Sequence, residues 1–389
     1  MDGSSARVPG LSRRSFALFI TIVCAVCVIT YTINAHYDVS ALDQGALITR
    51  LAKAQSDSDL LVWQDAFDQR AWLKERLLDP RADEQLLVLS SSTLGGLSQA
   101  MFPRRAVLNG WLSAPTIEDF EASTVLLDHA PHKPPIVVLG IDAWFLNPVI
   151  DDQRWRSLTA EYIAYHRAEG EGVQVYAQKP LRWWATFKER LTFATLRETL
   201  LFVRRAHRAS EPIRPWLVRA TPEEYCSRIS AEEYIRTAVG DYVSCPALRN
   251  PQAVVDSEAT TYLSLNTHSM AEWRVVDRSR AARLEAAIEH IRNDGESVVV
   301  VAPPYHPITY AALRANPNTA RNLDEVDRIL SEMAHRTGAE YVNLRDPSDL
   351  GCVAEDFLDS HHTKASCGRK IAERIAAAAD ALAGSRQPR

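Results

Sequence analysis

Two short segments hold the residue types that nucleophilic catalysis needs. Ser90-Ser91-Ser92-Thr93 follows the apolar run Leu86-Leu87-Val88-Leu89 and precedes Gly95-Gly96. Asp359-Ser360-His361-His362 lies near the C-terminus, between an apolar run and a terminal helical pattern. A serine hydroxyl is a weak nucleophile until a base takes its proton, and the base works best when an acid orients it. A serine on a sharp turn after a buried strand exposes its hydroxyl, and its own N–H at a helix start favours an oxyanion. An Asp three residues before a His on a turn can set its carboxylate on the imidazole, which pairs Asp359 with His362. Simpler readings compete: a serine or Asp359 serves only as a helix N-cap, or Asp359, His361, His362 and His306 ligate zinc together. No second spaced cluster supports the metal, so neither a metal nor an organic cofactor is expected.

The elements around these segments alternate. Short continuous apolar runs, the pattern of parallel strands buried on both faces, occur at Leu86–Leu89, Ala106–Leu108, Ile136–Leu139, Ser297–Val301 and Tyr341–Leu344. Helical spacing marks Ala281–Arg292, Leu323–Arg336 and Cys367–Ala383, and a helix starts near Thr116 with Glu118, Asp119 and Glu121 in its first turns. Strands alternating with helices predict an α/β fold, a three-layer α/β/α sandwich with a parallel sheet. Catalytic groups of such sheets collect at the carboxyl ends of the strands. The stretch between the third and fourth strands is far longer than a crossover needs and is expected to be an inserted cap. It carries Trp183-Trp184 and a helical pattern over 195–208. The expected organisation is a tail over 1–15, an anchor over 16–33, a helical stalk over 34–80, the α/β domain over 81–150 and 275–389, and the cap over 151–274.

The order of these motifs resembles the SGNH (GDSL-like) hydrolase superfamily. That family has a Gly-Asp-Ser turn after its first strand and an Asp-x-x-His near its C-terminus. The resemblance implies Ser92 as nucleophile, His362 as base and Asp359 as its partner, with Ser91 and His361 one residue away as fallbacks. The family's second block donates a backbone N–H to the oxyanion; here it corresponds to Asn109-Gly110-Trp111-Leu112-Ser113, with Gly110 or Ser113 as donor. The third block, Gly-x-Asn-Asp, corresponds to Gly140-Ile141-Asp142-Ala143, so Asp142 stands where the asparagine belongs. An ionised carboxylate there would repel an oxyanion, unless Asp142 is protonated, contacts substrate or leaves the hole to backbone groups. His306, Trp144 and Asn147 on the same rim are candidate substrate contacts. The chain is also similar to membrane-anchored D-alanine transfer proteins and periplasmic O-acetyltransferase-like proteins. That implies an acyl ester on a cell-envelope glycan or similar carbohydrate, with envelope biosynthesis proteins as partners.

The N-terminus and the cysteines agree with export. Residues 16–33 carry no charge, close to the ~20 residues an apolar helix needs to cross a bilayer. Arg7, Arg13 and Arg14 precede it and no Lys or Arg follows before Arg50, which places the bulk outside the cytoplasm. A twin-arginine signal over Ser12–Phe16 is a competing reading, beside a cleaved signal peptide, for which Ile33-Asn34-Ala35 is a poor site, and a lipoprotein, for which Val23 and Val26 stand where a small residue is needed before Cys24 or Cys27. Cys226/Cys245 and Cys352/Cys367 form two near-sequence pairs suited to disulfides in an oxidising compartment. The net charge of −5 offers no basic surface for nucleic acid. Together these lead to a single-pass, extracytoplasmic serine esterase or acyltransferase. The rival is a non-catalytic envelope protein of the same fold that binds polysaccharide or a biosynthetic partner.

Overall fold

The computed structural model describes residues 13–37, 45–63, 67–80, 83–168, 215–229 and 233–385, with isolated positions between 191 and 200. The chain divides into two units. In the first, Met1–Asp43 with Gln174–Ile213, the main described element is the helix Arg13–Tyr37. Leu18, Phe19, Ile22, Val28 and Ile29 on it are exposed. Among the described residues no helix is long and apolar enough to cross a membrane. Trp183, Trp184 and most of the helical pattern over 195–208 lie outside the described residues.

The second unit is Gln44–Val173 with Arg214–Arg389, and its described residues hold nine strands. They are β1 (Asp59–Trp63), β2 (Leu86–Leu89), β3 (Val107–Asn109), β4 (Ile136–Gly140), β5 (Trp216–Arg219), β6 (Tyr234–Arg236), β7 (Tyr242–Ser244), β8 (Ser297–Ala302) and β9 (Glu340–Asn343). Five form a parallel sheet in the order β3-β2-β4-β8-β9. Successive strand residues face opposite sides. Thus Leu87, Leu89, Val137, Leu139, Val298 and Val300 pack with the helices Ile117–Asp128, Arg278–Asp294 and Pro317–Thr337. Leu86, Val88, Ile136, Val138, Val299 and Val301 pack against the helix Ala365–Ser385. Each such fully buried side chain contributes roughly 1.5–3 kcal/mol. That double burial is why these strands read as unbroken apolar runs.

The stretch expected as a helical stalk is helical over Gly45–Ala54 and Gln69–Leu77 but not between them. Residues 59–63 form a strand, not a surface helix, because Leu60, Leu61, Val62 and Trp63 are all buried. β1 lies inside a second, antiparallel sheet in the order β5-β1-β6-β7. Three of its strands come from the region expected as cap, so that region does not fold from its own strands alone. Both expected disulfides are present, Cys226–Cys245 and Cys352–Cys367.

Candidate active site

The turn after β2 separates the three serines. Ser90 and Ser91 are buried, and only Ser92 is partly exposed. Ser90 donates its hydroxyl to the Ser91 carbonyl at 2.9 Å. Ser91 is the N-cap of a short 3-10 turn, Ser92–Leu94, and accepts from the Thr93 N–H at 3.1 Å. Its hydroxyl donates to Asp142 Oδ2 at 2.6 Å, and the Thr93 hydroxyl lies 3.3 Å from the same oxygen. Ser91 is therefore committed to Asp142 and is no nucleophile. Gly140, at the end of β4, lets this turn sit close: a Cβ there would meet Ser90 Cβ at 2.6 Å.

The base comes from a loop closed at both ends. Phe357 and Thr363 form an antiparallel bridge, and the Leu358 N–H donates to the His362 carbonyl at 2.8 Å. Asp359 Oδ1 accepts the backbone N–H groups of His361 and His362, each at 2.9 Å. The Cys352–Cys367 disulfide spans the whole segment. Asp359 Oδ2 lies 2.6 Å from His362 Nδ1, and His362 Nε2 lies 2.8 Å from Ser92 Oγ. A carboxylate on Nδ1 fixes the proton there and leaves the Nε2 lone pair to accept the serine proton.

The charges agree with those roles. Burial opposes ionisation of Asp359, but the facing His362 and His361 and its hydrogen bonds outweigh it, holding the carboxyl well below the usual carboxylate range. Burial lowers His362, yet the Asp359 carboxylate outweighs it and the imidazole ends above its ordinary value. His361 is pushed down to about 3, first by burial and then by the charge of His362. Its Nδ1 lies 2.8 Å from Ser360 Oγ, whereas Ser92 Oγ is paired with His362. Asp359, His361 and His362 could also bring one ligand atom each to a metal ion. In this arrangement, however, the Asp359 and His362 atoms are spent on each other and on Ser92.

Several expected contacts are corrected. The Gly110 N–H donates to the Val88 carbonyl at 2.8 Å, so it cannot serve an oxyanion. A Cβ at Gly110 would meet Leu73 Cδ1 at 2.7 Å, so the glycine is there for packing. The Ser113 N–H is likewise taken, by Gln69 Oε1, and the Ser113 hydroxyl accepts from Arg154 Nη1 at 2.7 Å. The Ser92 N–H heads its turn, but the parallel bridge of Ser91 with Leu112, whose own N–H donates to the Ser90 carbonyl at 2.8 Å, turns it toward the Leu112 carbonyl. Asp142 is buried beneath the turn as a hydrogen-bond acceptor, not at the substrate surface. Burial pushes it up to about 6, against the Ser91 hydrogen bond and the charge of Arg345.

Trp144 is buried, its face covered by His268 at 4.5 Å and 9° between planes. Asn147 is buried too, donating to the Ser269 carbonyl at 3.1 Å. His306 is fully buried, so it does not touch substrate. Its Nδ1 accepts the Ile308 N–H at 3.1 Å, capping the helix Pro307–Ala315, and its N–H donates to the Ser360 carbonyl at 3.1 Å. His306→Ala is expected to lower stability by about 1–2 kcal/mol through the lost cap while leaving Ser92 reactive. Urea unfolding and active-site labelling of the same preparation check both; loss of labelling in a folded variant would contradict a purely structural role.

Sequence reasoning missed Thr93, His268, Glu258 and Tyr242. Tyr242, from β7, has its ring 6.2 Å from His362. Glu258 is exposed on the helix Gln252–Thr261, where burial and the Asp359 charge push its carboxyl up. Both come from the region expected as cap and carried no motif. A cavity of about 1010 Å³ runs beside the catalytic loop, lined by Leu358, Thr363 and Tyr242 among others, but Ser92 and His362 do not line it. No family model, curated protein or solved structure matches the chain.

Proposed function

We propose that the protein is a serine esterase or acyltransferase of SGNH type, acting on acyl esters of a cell-envelope glycan or similar carbohydrate. The observation that carries this reading is the continuous relay Ser92 Oγ, His362 Nε2, His362 Nδ1 and Asp359 Oδ2, with links of 2.8 and 2.6 Å. His362 takes the Ser92 proton as Oγ bonds to the ester carbonyl carbon. The carbonyl oxygen becomes a tetrahedral oxyanion. The carbon–oxygen bond to the alcohol then breaks, and the imidazolium returns the proton to the departing alkoxide. Water or a glycan hydroxyl reverses the sequence on the acyl-enzyme, giving hydrolysis or transfer.

The same reading places the chain at the membrane, held by residues 16–33 with its bulk outside the cytoplasm. Its support is the uncharged stretch, the arginines before it and two disulfides. The rival binding protein has no use for a hydroxyl, imidazole and carboxylate in hydrogen-bonding line. A fluorophosphonate probe tests the choice. We expect one covalent adduct per chain, lost in Ser92→Ala, located by peptide mass spectrometry. A folded wild-type chain that takes no adduct, or an adduct surviving in Ser92→Ala, would reject the serine mechanism.

A further inference from the structure

The segment Asn266–Ser269 is held in a conformation that L-residues rarely adopt. Asn266, His268 and Ser269 all have left-handed backbones, with φ of 53°, 52° and 54°. Each such non-glycine residue costs of order 1 kcal/mol or more, and such clusters persist where surrounding structure enforces them. The enforcement is visible. Asn147 Nδ2 reaches the Ser269 carbonyl at 3.1 Å and the His268 carbonyl at 3.4 Å. Asn266 Oδ1 accepts the Ala271 N–H at 3.0 Å.

The result of that strain is the placement of one side chain. His268 lies flat on Trp144 and meets His361 edge to face at 5.7 Å. His361 in turn lies 4.1 Å from His362, ring centre to ring centre. Trp144 is buried under this stack, whereas His268 is only partly buried. Stacking fixes the ring plane but leaves the in-plane nitrogens unused, and among the described residues neither makes a hydrogen bond. Burial first, then the charges of His362 and Arg154, push its pKa down to about 4, so the ring is uncharged at neutral pH. An uncharged imidazole offers one N–H and one lone pair, which suits an alcohol that must be held while it gains or loses a proton.

We propose that His268 contacts the alcohol part of the ester, hydrogen-bonding its hydroxyl groups on the His362 side of the site. The assignment rests on the serine mechanism, because it is His362 that exchanges a proton with that alcohol. It gives His268 the contact that the sequence suggested for Trp144. It also predicts preference for polyol esters over esters whose leaving group needs no help.

Steady-state kinetics on two esters tests this. In p-nitrophenyl acetate the leaving group departs as a stabilised phenolate. In glycerol triacetate it is an aliphatic polyol. His268→Phe keeps a ring over Trp144 and deletes the nitrogens. We expect kcat/KM for glycerol triacetate to fall by about ten-fold, the scale of one lost hydrogen bond, with p-nitrophenyl acetate changed less than about three-fold. His268→Gln should recover part of the loss, and Ser92 labelling should be unaffected in both. An equal fall on both esters would assign His268 a structural role and overturn the proposal, as would no fall on either. A wild-type chain that neither labels nor cleaves p-nitrophenyl acetate would instead reject the serine mechanism itself.

Discussion

Replacing His362 with alanine is expected to cut p-nitrophenyl acetate hydrolysis by about four orders of magnitude or more. The variant keeps Ser92 and its turn but has nothing to accept the proton. Asp359→Asn should lose about 10³–10⁴ for a different reason. Asn Oδ1 can still accept the backbone N–H groups of His361 and His362, which Asp359 holds at 2.9 Å. Its amide N–H groups, however, face His362 Nδ1. The imidazole then carries its proton on Nε2, pointing at Ser92, and cannot act as base. The two variants together separate removal of the base from its misorientation, since Asp359→Asn keeps the imidazole beside Ser92 and should retain more residual rate than His362→Ala. Because Asp359 raises the His362 pKa against the effect of burial, wild-type activity should fall as pH drops through a value above that of an ordinary imidazole. A folded His362→Ala chain retaining a tenth of wild-type rate would refute the assignment.

What the sequence revealed and what it hid follow from how each group is placed. The parallel strands were legible because both faces are buried, so that Leu86–Leu89 and Ser297–Ala302 have no polar side to disguise them. β1 was not. Asp59–Trp63 is equally apolar, but its partners β5 and β6 lie more than 150 residues later, and nothing local marks it as a strand of a mixed-origin sheet. Asp359 and His362 were legible because their contact is local, three residues apart. Ser92 needed a family register to be chosen among three serines, whereas burial of Ser90 and Ser91 now makes that choice physically. His268 was invisible: a cap loop, a strained backbone and Asn147 together bring it to the site, and none of these is a pattern along the chain.

Asp142 was the residue that argued most strongly against catalysis, and its environment recasts the objection. Its carboxylate does not face the reacting centre; it accepts the Ser91 hydroxyl, which holds the turn that carries Ser92. Burial raises it to about 6 from an ordinary 3.8. A group whose folded pKa is raised contributes stability that is fully present below the unfolded value and lost as pH rises through the folded one. For Asp142 that loss begins near pH 4 and is complete above pH 6. It corresponds to roughly 3 kcal/mol, an order-of-magnitude figure for a buried carboxyl.

Asp142→Asn abolishes the titration while Asn Oδ1 can still accept the Ser91 hydroxyl. The variant should therefore gain on wild type by about 2–3 kcal/mol between pH 4.5 and pH 8 in urea unfolding. Asp241, buried and also raised to about 6, titrates in both proteins, so the difference between the two curves isolates Asp142. The charge of Asp142 also raises the His362 pKa. Removing it should move the acid limb of the pH–rate profile to lower pH while leaving the plateau rate within a few-fold. Stability curves that run parallel from pH 4.5 to pH 8 would mean that Asp142 does not titrate there. A collapse of the plateau rate would mean that its charge, and not merely its hydrogen bond to Ser91, is part of the chemistry.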